Sequence, residues 1–179
     1  MMRPIGVFDS GIGGLTVVKE LFTTVPFEPI VYFGDTARVP YGTKSVETVR
    51  RYAQEDAELL LAHDVKMIVV ACNTVSATAL ADVERVAATA RGGAVPVIGM
   101  IGPAADEAVR LTRTGHIGVA GTEATVASKA YEEAIARAAE REGKACTVTS
   151  VACPLFVPLA EEGWMSHAAT ELIAREYLA

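Results

Sequence analysis

VKMIVVA, residues 65–71, is an almost unbroken apolar run, and it hands over directly to Cys72-Asn73-Thr74 and a stretch of helical spacing. A strand with one wet face would alternate apolar and polar residues. A continuous run is what a central parallel strand shows when helices cover both faces of its sheet. The rest of the chain fits round such a strand. PIGVF (4–8) and PIVYFG (29–34) are short strands, and GLTVVKELFTTV (14–25) between them has helical spacing. From Ser45, a suitable N-cap, Val46, Val49, Tyr52, Ala53, Ala57, Leu60 and Leu61 mark one face of a long helix.

After the central run, a helix is expected from about Ser76 to Arg91, ending at Gly92-Gly93. VPVIGMIGP (95–103), a helix over 104–112, the strand HIGVAG (116–121) and a helix from Thr122 to about Glu142 follow. Gly143 suits the position just past that helix. CTVTSVACP (146–154) is a further strand, with helical patterns beyond it. Repeated β-α units of this kind predict an α/β fold with parallel sheets and right-handed crossovers. A boundary near residue 98 divides the chain into an expected first domain, 1–98, and second domain, 99–179.

Composition removes several classes of function. The chain has 179 residues and a formal net charge of −6, and only Arg50-Arg51 clusters basic residues. No basic stripe for nucleic acid is present. No apolar run approaches the ~20 residues of a membrane span, and MMRPIGVFDSG lacks a signal peptide's apolar core, so a cytoplasmic protein is expected. Cys72, Cys146 and Cys153 are scattered, as are His63, His116 and His167. Neither a disulfide framework nor a metal site follows from that spacing.

In open parallel sheets ligands bind beyond the carboxyl ends of the strands. Three such ends are polar and unusual: FDSGIGG (8–14), GDTARVPYG (34–42) and ACNT (71–74). The first is glycine-rich, but Gly11, Gly13 and Gly14 miss the G-x-G-x-x-G spacing and no G-K-[ST] follows, so a nucleotide is not indicated. Backbone N–H groups there suit a carboxylate as well as a phosphate, or form a plain tight turn. Asp9 is either the cap of that turn or a proton-handling group. Cys72, just before a helix N-terminus, is either a small buried residue or a thiolate favoured by the helix dipole, acting as nucleophile or base. On the second alternative its pKa is expected to be depressed.

Five segments occur in the order in which glutamate racemases carry them: IGVFDSGIGGLTVVKEL, YFGDTARVPYGTKS, VVACNTVSATAL, IGVAGTEATVASKAY and ACPLFVPLAEEGW. The chain resembles that family over nearly its whole length. The resemblance implies two similar α/β domains with the substrate between them. It also implies a cofactor-independent isomerase that interconverts L- and D-glutamate and supplies D-glutamate for peptidoglycan. In such enzymes two cysteines face opposite sides of the substrate α-carbon; one removes the proton and the other donates one, with neither pyridoxal phosphate nor metal. Carried over by position, Cys72 matches the first catalytic cysteine and Asp9 the aspartate that assists it. Glu161 matches the carboxylate on the other side of the site. Ser10, Tyr41, Gly42, Asn73 and Thr74 match substrate-contacting positions, as do Thr122 and Thr125 from the second half. Cys153 falls at a family position that is often cysteine but not catalytic. The expected partner is the small molecule glutamate, with a homodimer left open and neither nucleic acid nor membrane involved.

The chain departs from the family at one point. The second catalytic cysteine of the family lies in a Gly-Cys-Thr-His segment after the helix that here reads ELIAREYLA, and no such segment occurs. The expectation is therefore an N-terminal portion of the pattern, its second domain incomplete and without turnover by itself. An aspartate or hydantoin racemase relative is the rival enzyme, and a non-catalytic glutamate- or protein-binding module is the rival of another class.

Overall fold

The computed structural model describes residues 2–90 and 92–179, in which strand and helix alternate throughout. β1 (Ile5–Asp9), β2 (Ile30–Gly34), β3 (Met67–Val70) and β4 (Val97–Gly99) form one parallel sheet in the order β2-β1-β3-β4. β5 (His116–Gly121) and β6 (Thr147–Ala152) form a second parallel sheet. The helices are α1 (Leu15–Thr24), α2 (Val46–Ala62), α3 (Asn73–Thr78), α4 (Leu80–Ala88) and α5 (Ile101–Leu111), then α6 (Glu123–Ser128), α7 (Ala130–Glu142), α8 (Phe156–Glu161) and α9 (Ala168–Leu178). A 3₁₀ turn covers Tyr41–Thr43. The α/β class with parallel sheets flanked by helices is the one the sequence predicts. Among the described residues, no helix is long and apolar enough to cross a membrane.

The apolar run has the place its composition demands. β3 lies between β1 and β4, with Ile68, Val69 and Val70 buried. Phe8, Ile68 and Val70 pack on one side against Val49, Ala53, Ala57 and Leu60 of α2 and Val83 of α4. Ile5, Val7 and Val69 pack on the other side against Val18 of α1. In the second sheet Ile117, Val119 and Val148 pack on a core built by α5 and α7 (Ile101, Ala105, Val109, Ile135, Ala138), while His116, Gly118 and Ala120 lie exposed on the opposite face. The capping signals hold as well. Ser45 accepts a hydrogen bond from the Thr48 amide at 3.3 Å, and Gly143 takes the left-handed conformation, φ 63°, just past α7.

Two helices expected to be continuous are broken. The one expected over 76–91 begins at Asn73, is interrupted at Ala79 (φ −141°) and ends its second part at Ala88; Arg91, its expected last residue, lies outside the described residues. The one expected over 122–142 is interrupted at Lys129, which adopts φ 56°. The physical reason is tertiary packing. α3 and α6 pack on each other, whereas α4 packs on α2 and β4, and α7 packs on α5. A straight helix could not satisfy both directions.

Candidate active site

Parallel register brings the strand ends together. Asp9 ends β1 opposite Gly34, the last residue of β2, and Ala71-Cys72 follow β3 directly alongside. Asp9, 7% exposed, turns its Oδ2 back to accept from the amides of Gly11 at 3.2 Å and Gly14 at 3.0 Å. It is thus the cap of the glycine-rich turn, with Oδ1 outside both bonds. The turn presents Ser10, and the Cys72 thiol donates to Ser10 Oγ at 3.4 Å. Cys72 is 4% exposed and occupies the N-cap position of α3 without capping it.

The second half supplies the facing residues. Thr122 Oγ1 lies 3.0 Å from Thr74 Oγ1 and 2.9 Å from Thr125 Oγ1, a chain of three hydroxyls that joins α3 to α6. Tyr131 on α7 donates to Asn73 Oδ1 at 2.7 Å. Gly42 backs onto Thr122 so closely that a Cβ there would lie 2.5 Å from the Thr122 Cβ. Glu161, at the end of α8, lies against Gly11, where any side chain would collide with its Oε1. Below Cys72, Ser76 donates to the Val70 carbonyl and accepts from the Met100 amide, each at 3.1 Å.

Of the residues singled out in the sequence, Asp9, Ser10, Cys72, Asn73, Thr74, Gly42, Thr122, Thr125 and Glu161 therefore gather at the strand ends. Tyr41 is different. Its side chain is 1% exposed and its Oη is engaged by Asp35 and Asp56, so the backbone of the turn, not the phenol, stands beside Thr122. Two residues were not anticipated. Tyr32 Oη donates to the Gly11 carbonyl at 2.9 Å and so supports the Asp9 turn from below. Its place two residues before the end of an apolar strand was the available signal. Tyr131 meets a partner 58 positions away, which no local pattern reveals.

The electrostatics correct one expectation. Burial, and then the nearby Asp9, push the Cys72 thiol up to about 11, although bonds from Ser10 and the Val75 backbone oppose the shift. A short helix terminus does not offset the loss of water and a carboxylate neighbour. The depressed pKa expected from position alone does not hold. The same surroundings raise Tyr32 to about 12, through burial first and then Asp9 and Cys72. Glu161 is raised by burial and by Asp9, which places its charge within reach of the opposite half. A site of this kind, with a neutral buried thiol beside a capped carboxylate, can hold and pass a proton once a cation enters it. Among the described residues, no group of three His, Cys, Asp or Glu side chains is placed to hold a metal ion.

A family model described as Asp/Glu/Hydantoin racemase matches residues 5–177. The chain belongs to this family. It is 57% identical over 176 residues to a glutamate racemase of Chlorobium phaeobacteroides, a match that covers 98% of this chain and 61% of the relative. The glutamate racemase of Francisella tularensis, solved in complex with D-glutamate, superposes with a TM-score of 0.85 at 44% identity and covers 98% of this chain and 62% of that one. The Thermus thermophilus glutamate racemase, in complex with β-chloro-D-alanine, gives 0.80 at 48% identity over 98% of this chain and 61% of that one. The chain thus spans about three-fifths of the length of the curated relatives it matches.

Proposed function

We propose that this chain carries one proton-transfer face of a glutamate racemase, with Cys72 as the group that takes and returns the α-proton. The observation that carries this reading is the Cys72–Ser10 contact beside the capped Asp9, at the convergence of three parallel strand ends. The likeness to glutamate racemases, among them one solved with D-glutamate, supports glutamate as the substrate.

The chemistry follows from the charges. An α-proton is very weakly acidic, so the site must favour both the thiolate and the developing carbanion. Burial and Asp9 keep the proton on Cys72. A bound amino acid brings an α-ammonium group next to Asp9, which neutralises the carboxylate's effect and lets the thiolate form where it is used. Ser10, Asn73, Thr74, Thr122 and the backbone at Gly42 supply donors for the substrate's carboxylates. Glu161 acts on the far side, and the proton there comes from the thiol that the family carries in its Gly-Cys-Thr-His segment, absent from these 179 residues. Cys153 does not replace it, for its Sγ is directed to the Val151 carbonyl at 3.6 Å. The reading extends to residues 1–98 and 99–179 as two domains about the ligand and to a cytoplasmic enzyme that feeds peptidoglycan synthesis.

Proton NMR of each glutamate enantiomer in D2O, with circular dichroism of the substrate, tests the proposal. The 179-residue polypeptide is expected to exchange the α-proton of one enantiomer without sustained inversion. Exchange of aspartate in preference to glutamate would overturn the substrate, and tight binding of ATP with no glutamate signal in calorimetry would overturn the reading.

A further inference from the structure

Beneath the Tyr41–Thr43 turn lies a cluster of ionisable side chains that takes no part in the chemistry above. Asp35, just past β2, and Asp56, on α2, are 4% and 1% exposed. Tyr41 stands between them, its Oη bonded to Asp35 Oδ2 and 3.0 Å from Asp56 Oδ2. Arg38 spans the same two carboxyls, with Nε 2.5 Å from Asp35 and Nη2 2.9 Å from Asp56 Oδ1, and its Nη1 reaches Glu55. The guanidinium carbon lies 4.2 Å over the Tyr52 ring, which Arg51 also approaches.

Counting hydrogens decides how this cluster holds together. A phenol has one hydrogen; Tyr41 Oη is placed to donate to either carboxyl and lies closer to Asp35. With that hydrogen given to Asp35, the 3.0 Å contact between Tyr41 Oη and Asp56 Oδ2 is a full hydrogen bond only if Asp56 brings the second proton. Charge points the same way, because Arg38 is one cation against Asp35, Asp56 and Glu55. Two buried carboxyls that share so little positive charge retain a proton between them. Burial pushes Asp56 up to about 7; Asp35 and Glu55 add to the shift while Tyr41 and Arg38 oppose it.

We infer that Asp56 carries a proton on the acid side of neutrality and donates it to Tyr41, and that this proton holds the Tyr41–Gly42 turn against Thr122. Asp56 is then a positioning residue, acting on the site through Tyr41 and Gly42. Loss of the proton sets two carboxylates and a phenol oxygen face to face. The turn loosens from Thr122, whose hydroxyl bonds Thr74 beside Asn73 and Cys72. The groups that face Asp56 are Asp35, Arg38 and Tyr41 from the segment after β2 and Glu55 from its own helix, and Arg38 is the cation among them. The effect on ligand affinity rests on the glutamate reading; the residence of the proton does not.

The test is a pH titration by NMR over about pH 5 to 9, following the Asp56 carboxyl carbon and the Gly42 amide in the unmodified protein and in Asp56→Asn. An Asn side chain donates to Tyr41 and accepts from Arg38, and so imitates the protonated acid at every pH. Both signals are expected to titrate together with a midpoint near 7, and the Gly42 titration is expected to vanish in D56N while its low-pH position is kept. D-glutamate affinity by calorimetry should fall by roughly threefold or more above the midpoint in the unmodified protein and stay level in D56N. A carboxyl midpoint in the ordinary range, about 4, or a Gly42 titration that survives D56N, overturns the inference. If both signals titrate as expected while D-glutamate binds at no pH, the glutamate reading fails and the inference about the proton stands.

Discussion

Thr122 precedes α6 where Cys72 precedes α3, and each follows a parallel strand closely. Both helices have six residues, and both give way to a longer helix across a single non-helical residue, Ala79 in one case and Lys129 in the other. Thr122 uses its position as a cap, accepting from the Thr125 amide at 3.3 Å. Cys72 leaves its helix uncapped and turns its sulfur to Ser10. Thiol sulfur is a weak acceptor, so placing it there forgoes about 0.5–2 kcal/mol of capping. The same slot serves stability in one half and proton chemistry in the other.

The largest test of that contrast is Cys72→Ser. Glutamate α-proton exchange should fall by about 10²–10⁴-fold, while the hydroxyl caps α3 and raises stability by ~0.5–2 kcal/mol in urea denaturation. Unchanged exchange would break the comparison, and lost stability would show that the slot is not a cap in waiting. Next in size is a pH effect. The folded protein holds the Cys72 proton more tightly than the unfolded chain, since the pKa is raised from 9.0 to about 11. That stabilisation is complete below about pH 9 and is lost as pH rises toward 11. The difference between the unmodified protein and Cys72→Ser isolates it from Tyr32, which shifts in the same direction. Alkylation of Cys72 should accordingly rise with an apparent pKa near 11.

On the other side of the contrast, Thr122→Ala should cost about 1 kcal/mol through the lost cap, and Thr122→Ser should restore most of it. Urea midpoints measure both. The bends give the smallest effect. Lys129→Gly should stabilise by up to about 1 kcal/mol because φ 56° suits glycine, whereas Ala79→Gly, at φ −141°, should destabilise by ~0.5–1 kcal/mol.

These tests also mark where the sequence stops being legible. The burial of β3 could be read because VKMIVVA is apolar on both faces, and helices do cover both sides of its sheet; the exposure of His116, Gly118 and Ala120 in the second sheet came only from the structure. The bends could not be read, because neither Ala79 nor Lys129 is a residue that breaks helices by its own chemistry; the mutual packing of α3 and α6 sets them. The gathering of Asp9, Ser10 and Cys72 followed from motifs at strand ends, while Thr122 was reached only through the family resemblance. The direction of the Tyr41 ring did not, since Asp35 and Asp56 meet it only after β2 and α2 have packed. The Cys72 pKa failed for a similar reason: position before a helix is visible in a sequence, and the depth of burial is not.

Ser76 gives the fold a mechanical property. One hydroxyl fastens the end of β3 to Met100, the residue at which the chain leaves the first sheet for α5. The connection between the halves is thus pegged within a turn of Cys72, so that the floor beneath the thiol and the root of the second half share one fastening.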